Sequence, residues 1–154
     1  MVSRRVLGLT LAVTAFGSST RAQVLEVEVW RDPTCGCCSG WVAHLRASDF
    51  RVNDRVVPSV APFRRMLGTP ADLLSCHAGR VAGLALEGHV PAHAIRLVLR
   101  ERPPGVVGLS VPGMPIGTPG MEMPGREPEV YEVIAWFDDG THRPWNRMRG
   151  GEPA

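Results

Sequence analysis

The chain has 154 residues, with 17 basic side chains against 15 acidic ones and a formal net charge of +2. One domain's worth of chain can bury a core without staples, and a balance so close to neutral gives no argument for nucleic acid or an anionic membrane as partner. The four cysteines are unevenly placed, with Cys35, Cys37 and Cys38 inside four residues and Cys76 alone beside His77.

The N-terminus reads as an export leader over residues 1–22. Arg4 and Arg5 form a basic start, Val6 to Phe16 an apolar run, and Thr20-Arg21-Ala22 an acceptable cleavage site. The run is short of the roughly 20 residues that span a bilayer, so no stable membrane insertion is expected after cleavage. Ser3-Arg4-Arg5 leaves both the Sec and the twin-arginine route open. Every basic residue is an arginine, and three leave with the leader. The mature chain of about 130 residues then carries 14 basic and 15 acidic residues, a net charge of −1.

Val24 to Trp30 alternates in part between apolar and acidic residues and predicts a strand. Arg31 to Thr34 is a loop, with Asp32 or Thr34 as candidate caps for the next helix. In that helix, over Gly40 to Ala47, Cys38, Trp41, Val42 and Leu45 recur at i, i+3, i+4 and i+7 and share one face. Phe50 to Val57 reads as a second strand. Ala61 to Leu67 reads as a short helix with Phe63, Met66 and Leu67 on one face, stopped by Gly68 and Pro70.

Leu73 to Leu86 predicts a β-hairpin, with Cys76 at or near the start of its first strand. Pro91 to Arg102 is the clearest helix, with Ile95, Val98 and Leu99 on one face and Pro103-Pro104 as a stop. Gly105 to Pro128, dense in glycine and proline, is expected to hold no regular helix or central strand. Tyr131 to Phe137 is expected to be the last strand and Asp138-Asp139-Gly140 a turn, with Trp145 packed on the domain.

The expected class is thus α/β, in the order β-α-β-α-β-β-α. A thioredoxin-like core occupies residues 23–104, and a Gly/Pro/Met-rich extension with a final strand packs on it over residues 105–154. A strand ending in cysteines that open a helix is a reactive arrangement, because the free N–H groups and positive dipole end favour thiolate. Thiolate is both a nucleophile and a soft-metal ligand. In a thioredoxin-like layout the loop before the third strand lies against the helix start, so Cys76 would face the C-x-C-C run.

Two thiols suffice for a redox couple, whereas extra thiols suit binding of soft ions. Cu(I) accepts two or three thiolates and tolerates bridging. Zinc would prefer four tetrahedral donors, which Cys35, Cys38, Cys76 and a histidine could also supply. His77 arrives wherever Cys76 does and is a possible further ligand. His44 reads as structural or exposed and His142 as a surface residue, while His89 and His93 read as capping or exposed, with a ligand role as their lesser alternative. Met114 stays open as a thioether ligand, while Met121 and Met123 read as gap fillers. Two disulfides of purely structural purpose are the plain alternative, but three thiols in four residues would staple almost nothing.

Taken together, Asp32-Pro33-Thr34-Cys35-Gly36-Cys37-Cys38 with Gly40-Trp41-Val42, then Ser75-Cys76-His77, Leu86 to Pro91, and Gly108 to Glu122 resemble the DUF411 metal-binding family. The match runs over roughly residues 24–137. Described members are small periplasmic copper-resistance proteins of the CopG type. The resemblance implies a thioredoxin-like fold and a cluster of Cu(I), with Cys35, Cys37, Cys38 and Cys76 as ligands and with Cu(I)/Cu(II) exchange as an extension. It further implies metal ions, and other periplasmic copper proteins, as partners. The rival expectation is a thiol-disulfide oxidoreductase with Cys35 as nucleophile and Cys38 as resolving thiol.

Overall fold

The computed structural model describes residues 24–154; the leader read over residues 1–22 lies outside them. Eight strands of the described residues form one sheet in the order β2-β1-β3-β4-β5-β6-β7-β8. The elements are β1 (Glu26–Arg31), α1 (Gly36–Ala47), β2 (Arg51–Val56), α2 (Ala61–Leu67), β3 (His77–Val81), β4 (Leu84–Glu87), α3 (Ala92–Glu101), β5 (Val106–Ser110), β6 (Val130–Phe137), β7 (His142–Arg149) and β8 (Glu152–Pro153), with one 3-10 turn at Ala71–Leu73. The β1/β2 and β4/β5 pairs run parallel and the rest antiparallel. The class is mixed α/β.

The alternation of β1 is resolved by covering both faces of the sheet. Val27 and Val29 enter the main core with Trp41, Val42 and Leu45 of α1 and with Ile95 and Val98 of α3. Trp30 stacks on Phe63 of α2, ring centroids 4.7 Å apart. The buried face of α1 is Cys38, Trp41, Val42 and Leu45, as the helical spacing requires. Neither candidate cap holds this helix: the N-cap position is Cys35. The Asp32 carboxylate instead accepts the Thr34 N–H at 2.8 Å and closes the loop before it.

The hairpin is set by its turn. Ala82 and Gly83 both take positive φ (47° and 84°), as a two-residue primed turn demands, and Val81 then faces Leu84. The short helix α2 departs from expectation, because Met66 is 57% exposed and no residue of α2 is buried. Phe63 serves Trp30 instead, and Leu67 packs on a second small cluster with Leu73, Ala85 and Trp136.

The larger correction lies in residues 105–154. Val106–Ser110 is a strand, central in the sheet between β4 and β6, where the glycine and proline content predicts none. A glycine ordinarily weakens a strand, but Gly108 is required by its neighbour: a Cβ there would sit 2.1 Å from the Trp136 ring. Nor is β6 the last strand. β7 and β8 follow the expected Asp138-Asp139-Gly140 turn, and Trp145 of β7 packs on the main core. Pro144 faces Ile134 beside a register shift that leaves Trp145 without a partner, and β8 pairs only with Met148 and Arg149, so Pro144 lies where β7 is the edge of the sheet, the place where a strand tolerates proline.

Between β5 and β6 the chain crosses α1. A Cβ on Gly40 would lie 2.7 Å from the Gly120 Cα, and one on Gly120 would lie 2.5 Å from the Trp41 nitrogen and 2.6 Å from the Cys37 oxygen. Two glycines thus let the loop touch the helix backbone to backbone, one turn past the cysteines. Gly40→Ala sets two effects against each other. Helix propensity gains about 1 kcal/mol, and overpacking against backbone, which cannot swing aside, costs about 1–3 kcal/mol. The expected result is a lower urea midpoint; a raised midpoint would mean that the loop yields freely.

Candidate metal centre

The cysteines are brought together by two elements. Cys35 caps α1, Cys37 and Cys38 lie in its first turn, and Cys76 ends the connection into β3, the strand beside β1. The sulfurs of Cys35, Cys37, Cys38 and Cys76 all lie within 4.8 Å of one another. Cys76 therefore faces the run across a short gap. Cys35 and Cys38 are joined as a disulfide, with Cα atoms 5.4 Å apart. Cys37 and Cys76 are free thiols, both partly exposed, and Cys37 Sγ lies 3.5 Å from Cys35 Sγ. A framework of two disulfides is therefore absent among the described residues.

Cys76 is held by its neighbours. The Arg64 guanidinium donates to the Glu87 carboxylate at 2.6–3.1 Å and to the Ser75 carbonyl at 2.5 Å. Glu87 in turn accepts the Ser75 N–H at 2.8 Å. The Ser75 hydroxyl donates to the Gly113 carbonyl at 2.6 Å. Burial raises the Glu87 carboxyl above its usual range, against the pull of Arg64 and Ser75. A buried ion pair is seldom retained for stability alone; here it clamps the residue preceding Cys76.

Two histidines join this thiol. His77 Nδ1 lies 3.3 Å from Cys76 Sγ, and His89 Nε2 lies 3.0 Å from it. Both rings are fully buried. His89 is not a cap or an exposed residue, as its place before Pro91 suggests. Its Nδ1 lies 2.7 Å from the Pro119 carbonyl in the loop. The signal for it was the hairpin itself. Register counted outward from the Ala82-Gly83 turn pairs Ala78 with Glu87, and two further steps bring His89 opposite Cys76.

The other expected residues divide. His44 is structural, accepting the Ala92 N–H on Nε2 at 3.1 Å. His93 is exposed, and His142 lies at the surface beside Asp72. Met114 and Met123 are 54% and 48% exposed.

Burial pushes the Cys76 thiol up to about 12, with Cys37 beside it acting in the same direction. A metal bound there must displace a proton, so its affinity rises with pH. Burial also holds His77 well below the usual imidazole range, helped by His89 and Arg64. His89 is lowered by burial against the Pro119 carbonyl. Neutral imidazole is the form that ligates metals.

These lowered values set an acid sensitivity. In the unfolded chain both rings take up protons near about pH 6.5, while in the fold they resist. Stability of the metal-free protein is complete above that pH. It falls by about 1.4 kcal/mol per pH unit for each ring as the pH drops toward the folded values. Urea unfolding from about pH 7 to about pH 5 should show a falling midpoint. A flat profile would mean that the rings charge freely in the fold.

Comparison with known proteins follows the same residues. The family described as "Protein of unknown function, DUF411" matches residues 73–121, which include Cys76, His77 and His89. A solved structure titled "Copper resistance protein copG- Form 2" is 40% identical with a TM-score of 0.75, over 82% of this chain and 99% of that one. A second, titled "Copper resistance protein copG- Form 1", is 38% identical with a TM-score of 0.73, over 83% of this chain and 100% of that one. No curated protein matches. At that identity, and with almost the whole length of both structures covered, this chain belongs to the DUF411 family of copper-resistance-type proteins.

Proposed function

We propose that this chain is an exported periplasmic protein with a thioredoxin-like core that binds Cu(I) through Cys35, Cys37, Cys38 and Cys76, for copper handling or resistance. The observation that carries this reading is the convergence of four sulfurs, from two separate segments, within 4.8 Å. Thiolates so close together suit soft Cu(I), which accepts bridging sulfur, better than zinc, which draws four tetrahedral donors. Copper is the cargo here, and other periplasmic copper proteins are its natural donors and acceptors. The copper-resistance names of the two related structures support the metal, and the export leader read over residues 1–22 supports the compartment. No helix of the described residues is long and apolar enough to cross a membrane.

The chain's own residues do three things on this reading. The Cys35–Cys38 disulfide, on receiving two electrons and two protons from an external dithiol that is itself oxidised to a disulfide, yields two thiols beside Cys37 and Cys76. Each thiol that ligates gives its proton to solvent. The Arg64, Glu87 and Ser75 clamp holds Cys76 against the turn of α1 while this happens. Electron exchange between Cu(I) and Cu(II) is an extension of the same site.

A thiol-disulfide oxidoreductase is the second reading, and one observation favours it: Cys35 and Cys38 are paired, with Cys35 partly exposed and Cys38 buried. That is the order of an attacking and a resolving thiol.

Anaerobic titration of the reduced mature protein with Cu(I) against a competing chelator separates the two. More than one tightly held ion per chain is expected. Failure to beat the chelator, with a reversible disulfide titrating instead, would move the protein to the second reading. Cys37→Ser sharpens the contrast, since it should cut the number of ions bound while leaving Cys35/Cys38 exchange intact. Full metal stoichiometry in that variant would remove Cys37 from the cluster.

A further inference from the structure

A four-sulfur cluster leaves His77 and His89 without a role, although both are fully buried against Cys76. Buried polar rings are costly unless something uses them. The His89 ring is aimed from its far side. A carbonyl only accepts, so the Nδ1 facing Pro119 carries the proton and Nε2 turns a lone pair toward Cys76 Sγ. Metal-ligating histidines are oriented in this way, by a backbone carbonyl on the other nitrogen. His77 is fixed by packing instead, with Trp41 at 4.3 Å and His89 at 5.0 Å between ring centroids. Its Nε2 is buried without a hydrogen-bond partner.

The three donors Cys76 Sγ, His77 and His89 lie within 4.8 Å of one another. None of them belongs to the Cys35–Cys38 disulfide. Closing that bridge therefore removes two sulfurs from the cluster and leaves the sulfur–nitrogen group whole. For bonds of about 2.3 Å to sulfur and about 2.0 Å to nitrogen, a three-donor trigonal site needs sulfur–nitrogen edges of about 3.7 Å. The observed 3.3 and 3.0 Å are shorter than that, so side-chain rotations that move both rings back from the sulfur would open the site to an ion.

We propose that Cys76, His77 and His89 form a distinct one-sulfur, two-nitrogen site that holds a single Cu(I) ion while Cys35 and Cys38 are joined as a disulfide. This deepens the copper reading and rests on it. Binding moves no electrons: the Cys76 thiol releases its proton to solvent and the thiolate takes the ion. Without the ion, the same geometry is a thiol donating to imidazole. The protein then has two copper-holding forms, a sulfur cluster when reduced and a mixed site when oxidised, with Cys76 common to both.

The test compares three preparations in the same anaerobic Cu(I) competition: reduced wild type, oxidised wild type with the disulfide intact, and a Cys35→Ser/Cys37→Ser/Cys38→Ser variant. The last keeps Cys76 as its sole thiol, and far-UV circular dichroism checks its fold. Oxidised wild type needs no substitution, so a misfolded variant leaves the comparison standing. The oxidised protein and the variant are each expected to hold one Cu(I). X-ray absorption of the loaded variant should show one sulfur and the outer-shell scattering of imidazole. His89→Ala or His77→Ala in the variant background should weaken binding by about tenfold or more. The proposal is overturned if the oxidised protein holds no copper against the chelator, if the variant's copper shows no imidazole, or if the histidine changes leave its affinity untouched. Reduced wild type distinguishes the failures. Several ions bound there with none in the oxidised form sinks only this proposal; none in either sinks the copper reading as well.

Discussion

Cys76→Ser should weaken Cu(I) binding by the reduced protein on the order of 100-fold or more and lower its stoichiometry. Loss of a mere outer-shell partner costs about 10–100-fold, and Cys76 is the one sulfur supplied from outside the start of α1. Without it the remaining thiols sit on one turn of one helix, and the buried histidines lose the sulfur they face. The fold should change little. Cys76 is only partly buried, and serine is close to its shape. Chelator competition measures the first effect and urea unfolding the second. Unchanged affinity and stoichiometry would place the ions on Cys35, Cys37 and Cys38 alone.

Trp41→Ala should be the most destabilising substitution near the site. The ring is fully buried. It covers Gly79 of β3, where a Cβ would come within 3.6 Å of it, and it packs at a tilt against His77. Its Nε1–H donates to the Val90 carbonyl at 2.8 Å. Removal leaves a cavity, at about 3–5 kcal/mol, and an unpaired buried carbonyl, at about 1–3 kcal/mol. Against a total stability of about 5–15 kcal/mol, the sum brings the domain close to unfolding. Trp41→Phe refills most of the volume and should lose chiefly the hydrogen bond. Urea unfolding of the two variants checks the order. A cost below about 1 kcal/mol for alanine would mean that the ring is not what joins helix and hairpin.

Much of the first half of the chain was legible because its signals are local. The i, i+3, i+4, i+7 spacing from Cys38 to Leu45 needs only one helix and one sheet to face, and the buried set on α1 is that set. The hairpin placed Cys76 beside its first strand for the same reason. Where a residue answers to a distant neighbour, local signals misled. Met66 has the spacing of a buried residue, but Trp30 and the second cluster take only Phe63 and Leu67, and it stays exposed. Strand β5 hides inside a glycine- and proline-dense stretch. Its Gly108, a weakness by propensity, is what the Trp136 ring demands.

The sequence by itself determined that three thiols sit at a helix start and a fourth beside a hairpin strand. It also carried, through the family resemblance, the expectation of copper. These depend on residues a few positions apart, whose relative placement the helical and strand repeats dictate. Only the tertiary structure decided that β5 to β8 continue the same sheet, that the Gly40–Gly120 contact seats a loop on α1, and that His89 meets Cys76 with Pro119 behind it. The loop and histidine contacts join residues 13 to 80 positions apart. Which of many possible partners each one meets is set by how helices and sheet pack together, and no periodicity along the chain encodes it.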